Sequence, residues 1–437
     1  MKKTVRILIG TGLCVLLLIA WFIAANSNSK AENQLILINQ ATELINDGIY
    51  VRAVPLLEEA AGYDATHTIT AERELKRAYL ALIDSRGFSR RYTELLGKQM
   101  NRRDAEPHIF IEAANYYLSI SKTQEALAVL RNGMERTGDA SIIALYENAR
   151  YVFETSRTSY DYASAIFEET VQVQTDGKWG IANADGTVII DCQYGAISTF
   201  SADRAIVRNG SSVYAVDMHN NRIAVTRENV LDFGNFAENR IALFVDGGWR
   251  RATGEFELGA NSFEYIGMYS GGYAAAKTGG KWGVIDLNNN WLIEPEYDAI
   301  VQDELGRCYA QGAVFIRDGE VVYLFTNGEL TKHAYEDAHS FSDEGYAAVK
   351  RNGKWGFIDT HGVEVIPCVF DDALSFGQHL AAVKIGEFWG YISLSGQLVI
   401  DAAYYEAKSF SDGSAPVLTD RGWQFITLLE FKRSAAL

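Results

Sequence analysis

The sequence predicts an α + β multidomain protein with an N-terminal membrane helix, an α-helical hairpin array and a C-terminal all-β repeat domain. Three observations carry this prediction. Residues 7–25 form an apolar run without charge, apolar residues recur every three or four positions through residues 31–165, and a hairpin motif repeats from residue 166 onwards. These patterns are typical of a membrane-spanning helix, of amphipathic helices and of short paired strands. We expect domains at residues 1–30, 31–165 and 166–437.

The composition is that of a globular protein and excludes one class of partner. Charged residues make up 22% of the chain and hydrophobic residues 48%. The net charge is −16, and residues 166–437 hold essentially all of the acidic excess. An acidic surface repels phosphate backbones, so we expect no nucleic-acid partner. The four Cys form no CxxC pair and the seven His no closely spaced pair, so no metal and no cofactor is predicted.

The N-terminal run determines the predicted localisation. Lys2, Lys3 and Arg6 precede the apolar segment Ile7–Ala25, which as a helix would span about 28 Å, close to the thickness of a bilayer core. Basic residues on this side keep the N-terminus in the cytoplasm. We expect a single-pass signal anchor in the cell membrane, with the bulk of the chain extracytoplasmic. The alternative is a cleaved signal peptide and a secreted protein.

Residues 31–165 read as about seven helices joined by short turns. Such a series predicts an array of α-hairpins. The order of small residues in 41–57 and in 113–140 resembles that of tetratricopeptide repeats. The resemblance implies a concave protein-binding surface. The alternative is a structural stalk that holds the next domain off the membrane.

The repeat unit is clearest in residues 347–359, AAVKRNGKWGFID, where two alternating strands flank the Asn-Gly turn at Asn352 and Gly353. The central positions recur every 33 to 39 residues, at 179, 213, 249, 282, 321, 355, 389 and 423. Each unit then adds a turn and another strand. A period this regular predicts a repeat architecture.

Short strands bury their faces by radial repetition, which predicts a β-propeller. Residues 171–410 hold seven full units, and the surplus hairpin at 415–427 would complete the first blade. We therefore expect seven blades. Eight blades or an open solenoid remain as alternatives.

A tryptophan at one fixed place in most units predicts core packing between blades. The alternative is a ring of stacking platforms for sugars or peptides. The glycine that follows it suggests a bulge or a close backbone approach. Lys281 and Lys354 are expected to form inter-strand ion pairs with Asp286 and Asp359. The predicted structural repeat positions are Trp179, Gly180, Trp249, Trp282, Gly283, Trp355, Gly356, Trp389, Gly390 and Trp423.

The motif KWGxID, followed by a Gly turn, Val-Ile, an aromatic and Phe-Ser, resembles the WG-repeat (WG β-repeat) proteins of bacteria. The second and fifth units depart from it, with Val213-Tyr214 and Val321-Val322 in place of Trp-Gly. The resemblance implies a binding or scaffolding module and no particular chemistry.

Together these observations predict a non-catalytic, membrane-anchored, extracytoplasmic binding or scaffold protein. Its predicted partner is a protein or peptide, with a cell-envelope polymer as a further candidate. The alternative is an extracytoplasmic hydrolase at the propeller hub, which needs at least two carboxylates and an Arg or His from different units in one pocket. No catalytic residue is assigned. Function is expected in loops that differ between units, such as Gln302–Gly319.

Overall fold

The computed structural model describes residues 29–63, 65–226, 229–333 and 335–431. The chain divides into two compact units, Met1–Asn148 and Ala149–Leu437. The first is helical and the second is built of strands. The sequence-based prediction placed this division between residues 165 and 166.

The described residues of the first unit form seven helices. The first, α1, is helical over residues 29–46 of the described chain. The others are α2 (Tyr50–Gly62), α3 (Thr68–Ala81), α4 (Phe88–Met100), α5 (Pro107–Ser119), α6 (Thr123–Thr137) and α7 (Ala140–Ala149). Pro107 starts α5 at a position where its missing N–H has no helical partner to lose.

Small residues let these helices approach closely. Ala53, Ala71 and Ala113 are fully buried where neighbouring helices meet. A Cβ on Gly133 would lie 3.0 Å from both Phe110 and Ile142, so α5, α6 and α7 meet there without room for a side chain. The helices form the expected hairpin array, and the tetratricopeptide resemblance remains a prediction.

One carboxylate is buried within this helical unit. The Glu72 side chain has no solvent exposure. It accepts a hydrogen bond from Gln99 Nε2 at 2.9 Å, and Arg102 Nη2 lies 2.5 Å from its other oxygen. A buried carboxylate is tolerated because both oxygens are satisfied, and this network joins α3 to the end of α4.

The second unit is a β-propeller, and its described residues form eight sheets. Blades 1 to 4 consist of β2 (Tyr162–Ala163), β3 (Thr170–Thr175), β4 (Lys178–Asn183) and β5 (Val188–Tyr194); β6 (Ala196–Ile197), β7 (Ala205–Asn209), β8 (Ser212–Val216) and β9 (Arg222–Val225); β10 (Asp232–Phe233), β11 (Arg240–Val245) and β12 (Gly248–Thr253); and β13 (Tyr265–Ile266), β14 (Tyr273–Thr278), β15 (Lys281–Asp286) and β16 (Trp291–Tyr297).

Blades 5 to 8 continue the pattern. They consist of β17 (Ala299–Ile300), β18 (Ala313–Asp318), β19 (Val321–Thr326) and β20 (Glu329–His333); β21 (Asp337–Ala338), β22 (Tyr346–Arg351), β23 (Lys354–Asp359) and β24 (Glu364–Phe370); β25 (Asp372–Ala373), β26 (Leu380–Ile385), β27 (Phe388–Ser393) and β28 (Leu398–Tyr404); and β29 (Glu406–Ala407), β30 (Ser414–Thr419) and β31 (Gly422–Leu428), with β1 (Phe153–Thr155) as the outer strand of blade 8.

The prediction of seven blades is wrong, because strand β1 lies before the repeats. Phe153 pairs with Leu428 and Thr155 with Ile426, so the start of the propeller supplies a strand to its last blade. The surplus hairpin at 415–427 therefore does not complete blade 1; it forms the centre of an eighth blade. A strand that precedes blade 1 in the sequence thus completes blade 8. This pairing closes the ring and covers a strand edge that would otherwise be exposed.

The glycine of the Trp-Gly pair fixes the outer edge of a blade. In blade 1 the β4–β5 register shifts between Trp179 and Ile181. A Cβ on Gly180 would lie 2.3 Å from the carbonyl oxygen of Ile190 on β5. The same shift occurs in blades 4, 6 and 7, which also carry the glycine. In blade 5 the strand register places Val322 and Tyr323 at the Trp and Gly positions, one residue later than the sequence pattern indicated, and β19 and β20 pair without a shift.

The predicted single-pass membrane protein is wrong on the evidence of the described chain, in which no helix is both long enough and apolar enough to cross a membrane. The predicted anchor at residues 1–30 falls almost entirely on residues 1–28, which lie outside the described residues.

Candidate functional site

The hub of the propeller is filled by an insertion in blade 5. Residues 301–312 connect β17 to β18, whereas residues 267–272 make the same connection in blade 4. Leu305 of the insertion packs with Ala165, Ala237 and Met268. These residues follow the first strands of blades 1, 3 and 4. Blades this far apart meet only near the axis, so the insertion, which we call the hub plug, occupies the centre.

Polar contacts hold the hub plug from several sides. Asn235 of blade 3 donates from Nδ2 to the Leu305 carbonyl oxygen at 3.0 Å. The Met268 amide donates to the carbonyl oxygen of Gly306 at 3.0 Å. Asn235 itself is fixed by Gln172 of blade 1, which donates to its Oδ1 at 3.2 Å. Since each partner belongs to a different blade, the hub plug is positioned by the closed ring.

An ion pair crosses the hub. Lys408 Nζ of blade 8 lies 2.8 Å from Glu304 Oε1 of the hub plug, and 16% and 24% of the two side chains are exposed. Burial raises the pKa of Glu304 above its usual value although Lys408 opposes this. Burial lowers the pKa of Lys408, but the Glu304 carboxylate outweighs it and the net pKa is raised. Burial and the ion pair thus act in opposite directions on the pKa of each of the two groups.

This arrangement bears on the predicted hydrolase alternative, which needed an open hub pocket. The hub plug fills that place with an apolar cluster, and Glu304 faces a lysine. Across the described ranges, no group of three or more His, Cys, Asp or Glu side chains is arranged to hold a metal ion.

A cavity lies where the ring closes. It has a volume of about 620 Å³, and we call it the closure cavity. It is bounded by the segment after β1, the β4–β5 turn of blade 1, and turns of blades 7 and 8. Its lining residues are Glu154, Thr155, Ser156, Arg157, Thr158, Glu169, Asn183, Ala184, Asp185, Gly186, Thr187, Gln378, Asp412, Ser414, Thr427 and Phe431.

Local hydrogen bonds build the walls of the closure cavity. The Ser156 amide donates to the Phe425 carbonyl oxygen at 2.7 Å, which fastens the incoming segment to β31. Tyr160 donates to the Gly186 carbonyl oxygen at 2.8 Å. Gly186 has a φ of +86°, and a Cβ there would lie 2.4 Å from the Phe425 ring. Only glycine fits where the blade 1 turn meets blade 8.

The closure cavity is acidic. Glu154, Glu169, Asp185 and Asp412 line it together with one base, Arg157. Asp412 accepts a hydrogen bond from the Glu169 amide at 3.1 Å, which links blade 8 to blade 1. An excess of carboxylates in a concave polar wall favours a cationic group.

The predicted tryptophans lie at the seams between blades. Trp355, Trp389 and Trp423 are buried, and the others are half-buried. Tyr162 of blade 1 contacts both Trp179 of its own blade and Trp423 of blade 8, with ring centroids 5.5 and 5.9 Å apart. Tyr265 likewise lies between the side chains of Trp249 and Trp282. The choice between core packing and ligand stacking remains a prediction.

The repeat lysines form ion pairs with acids other than the predicted Asp286 and Asp359. Lys281 pairs with Asp298 at 2.7 Å, and Lys354 pairs with Asp371. Asp286 instead accepts hydrogen bonds from the amides of Asn288 and Asn290 in its own turn. Its short side chain reaches the backbone two and four residues on more easily than a lysine across the strand.

The sequence comparison agrees with this repeat geometry. The family described as "WG containing repeat" matches residues 179–211, 262–282, 282–302, 326–355, 355–387 and 389–423. The chain is a WG-repeat protein. The matches leave out residues 212–261, where blade 2 ends and blade 3 has three strands in the described chain. WG repeats on a propeller suggest a repeat-based binding or scaffold protein.

Similar solved structures add nothing to this. The sequence matches no curated protein. Kluyveromyces lactis Hsv2 is 10% identical, with a TM-score of 0.35, over 60% of this chain and 97% of that chain. The Neurospora crassa Pan2 WD40 domain is 11% identical, with a TM-score of 0.34, over 63% of this chain and 95% of that chain. Likenesses this low carry no argument about function.

Sequence reasoning missed β1, the hub plug contacts and the closure cavity. One signal was available for the propeller start: Tyr162-Ala163 stands where Ala196-Ile197 and Ala299-Ile300 begin later blades. The pairing of Lys408 with Glu304 had no sequence signal, because the two residues lie in different units and at unequal positions.

Proposed function

We propose that this WG-repeat protein is a non-catalytic binding or scaffold protein that holds a basic segment of a partner protein or peptide in its closure cavity. The observation that carries the proposal is the set of four carboxylates, against one arginine, around a concave space of about 620 Å³. Lysine or arginine side chains of an extended segment complement such a wall.

The filled hub is a second argument for binding at the closure cavity. Propellers often bind small molecules along the axis, and here the hub plug occupies the axis. The closure cavity is lined by none of the hub plug residues but by turns of blades 1, 7 and 8 and by the segment around β1. Turns positioned by a rigid scaffold are common binding surfaces.

The test is binding of a labelled hepta-lysine peptide to the full chain, with a hepta-glutamate peptide as the opposite-charge probe. We expect saturable binding of the lysine peptide, weakening with salt, and none of the glutamate peptide. The double variant Asp185→Asn/Asp412→Asn should weaken binding at least fivefold, because it removes two charges while each Asn side-chain oxygen can still accept the hydrogen bond from the Thr187 or Glu169 amide.

The matched control is Asp246→Asn/Asp420→Asn, which removes the same charge from exposed turns of other parts of the propeller. It should bind the peptide as the unmodified protein does. Equal weakening in both double variants would mean that the acidic surface as a whole, and not the closure cavity, attracts the peptide. If the folded protein does not bind the hepta-lysine peptide, the proposal is wrong.

A further inference from the structure

Another cavity lies at the seam between blades 5 and 6, and we call it the seam cavity. It has a volume of about 570 Å³ and shares no residue with the closure cavity. The β18–β19 turn, the end of β20 and the segment that leads into β21 bound it. A space of this volume is within the usual range for small-molecule sites.

The seam cavity lies where blade 5 lacks the tryptophan of the repeat. Val322 pairs with Arg317 as Trp355 of blade 6 pairs with Lys350, so Val322 stands at the Trp position. Val322 packs in one cluster with Tyr335, and Tyr335 lines the seam cavity. Because valine is much smaller than tryptophan, this seam lacks the volume of an indole ring.

Arg317, which lines the seam cavity, has no ring opposite it. In blade 6 the ammonium of Lys350 lies over the ring of Trp355, 5.9 Å from its centroid, and blade 4 has the same arrangement. Arg317 faces Val322 instead. Its Nη2 atom pairs with Asp337, and its Nε atom is buried without an acceptor among the described residues. The cation of the repeat is thus present, and its aromatic partner is missing.

Glu336, which also lines the seam cavity, lacks the lysine of the repeat. After blade 6, Asp371 accepts a hydrogen bond from a turn amide of the next blade and pairs with Lys354. After blade 5, Glu336 accepts the corresponding hydrogen bond from the Gly353 amide at 3.0 Å. Val321 stands at the lysine position, and Glu336 forms no ion pair with the described residues. Its carboxylate therefore remains available to a cation.

Blade 2 shows how the same loss is compensated elsewhere. Val213 replaces the tryptophan there and pairs with Arg208. The ring of Phe233, at the start of blade 3, lies 5.5 Å from the Arg208 guanidinium and takes the place of the indole. The strand register puts Ala338 at the corresponding position of blade 6. An alanine supplies no ring, so the seam between blades 5 and 6 is not filled in this way.

The walls of the seam cavity combine an aromatic surface with one excess negative charge. The rings of His333 and Tyr335 are stacked, with centroids 5.5 Å apart and planes 9° from parallel. Three acids and two bases line the cavity, which gives a net charge of −1: Glu320, Glu336, Asp337, Arg317 and Lys332. A single positive charge on a ligand complements this wall.

We propose that the seam cavity binds a small arylalkylamine, a planar aromatic ring that carries one ammonium group. The ring takes the place of the missing indole beside Arg317, where a cation and an aromatic face attract each other. The ammonium takes the place of the missing lysine and pairs with Glu336. This site is independent of the function proposed above, because the two cavities share no residue and either can fail its test alone.

The test is calorimetric titration of the full chain with tryptamine, which carries an indole ring and an ammonium. Indole-3-propionate, with the same ring and a negative charge, and butylamine, with the ammonium and no ring, are titrated in parallel at constant ionic strength. We expect saturable binding of tryptamine and at least tenfold weaker binding of the other two. Equal binding of either comparison compound, or no saturable binding of tryptamine by the folded protein, would overturn the proposal.

Two variants assign the binding to the seam cavity. Val321→Lys/Val322→Trp gives blade 5 the residue pair of blade 6 and should lower tryptamine affinity at least tenfold, because the chain itself then supplies the ring and the ammonium. Glu336→Gln should also lower it at least tenfold, since it removes the charge while its side-chain oxygen can still accept the hydrogen bond from the Gly353 amide.

The matched control is Glu264→Gln at the seam between blades 3 and 4, where Trp249 is present. Glu264 is exposed and accepts a hydrogen bond from the Gly280 amide at 3.0 Å, as Glu336 does from Gly353. This variant should bind tryptamine as the unmodified protein does. Unchanged affinity in Glu336→Gln refutes the site whether or not the double variant folds, and so does an equal loss in Glu264→Gln.

Discussion

Lys408 Nζ lies 2.8 Å from Glu304 Oε1 and joins the last blade of the propeller to the insertion of the fifth. The two residues are distant in the chain and meet because the ring is closed. The pair belongs to the hub, where the first strands of the blades converge, and it holds the polar end of the hub plug. Removal of either charge therefore tests how far the plug depends on the ring.

Lys408→Met should lower the free energy of unfolding by about 1–3 kcal/mol near pH 7, since it leaves Glu304 without its cation. The loss is below that of a fully buried pair because part of Glu304 is solvated. The pKa of Glu304 is already raised by burial, and loss of Lys408 raises it further. The folded variant therefore binds its proton more tightly than the unfolded chain, and its deficit should shrink as pH falls to about 4.

Urea denaturation at the two pH values measures this difference. The control is the double variant Glu304→Gln/Lys408→Met, which carries neither charge and should regain most of the stability at both values. A deficit of the same size at both pH values would contradict the role assigned to the carboxylate.

Gly180→Ala should lower the free energy of unfolding by about 1–3 kcal/mol or more, because the new Cβ would lie 2.3 Å from the Ile190 carbonyl oxygen. The matched control is Gly195→Ala, in the link between blades 1 and 2, whose Cβ would lie 3.7 Å from its nearest neighbour. Chemical denaturation of both variants measures the two losses in free energy of unfolding. Similar losses in the two would mean that glycine flexibility, and not the bulge at the Trp-Gly pair, is what blade 1 requires.

Trp355→Ala should cost about 3–5 kcal/mol of stability, as expected for an aromatic residue that is 6% exposed. Its ring stacks on His339 with centroids 4.7 Å apart. Trp179→Ala should cost less, because Trp179 is half-buried. Denaturant midpoints and peptide binding are measured on the same samples. A Trp355→Ala protein that keeps its stability but loses a ligand would reassign the tryptophans to binding.

Arg102→Ala should destabilise the helical unit by about 3–5 kcal/mol, because it leaves the fully buried carboxylate of Glu72 without its closest cation. The adjacent Arg103 is exposed, and Arg103→Ala serves as the control with an expected change under about 0.5 kcal/mol. Loss of helical circular dichroism with urea reports the effect. Equal midpoints for the two variants would mean that Gln99 and solvent stabilise the Glu72 carboxylate without help from Arg102.

Much of the repeat domain was predictable because its signals are local. The alternation around Asn352-Gly353 predicts the hairpin, and β22 and β23 flank that turn. The regular spacing of the Trp-Gly pairs predicts a propeller. The number of blades was not predictable, because it depended on the three-residue strand β1, which carries no repeat motif and pairs with β31 at the opposite end of the domain.

The candidate sites were less predictable than the fold. Residues 302–319 stood out by length, but length does not indicate whether a loop projects into solvent or folds into the hub. Leu305 became a core residue because blades 1, 3 and 4 surround it. The lysine partners were mistaken because they depend on strand register: Tyr297 pairs with Trp282, so the next residue, Asp298, stands opposite Lys281.

The sequence by itself determined the unit of construction: a hairpin with a tight turn, a Trp-Gly pair and a following strand, repeated around a propeller, because periodicity and turn chemistry act within a few residues. The tertiary structure decided how the units close, what fills the hub, and where polar groups meet. Those outcomes depend on contacts between blades far apart in the chain. The closure cavity exists only because the ring brings Asp412 to Glu169.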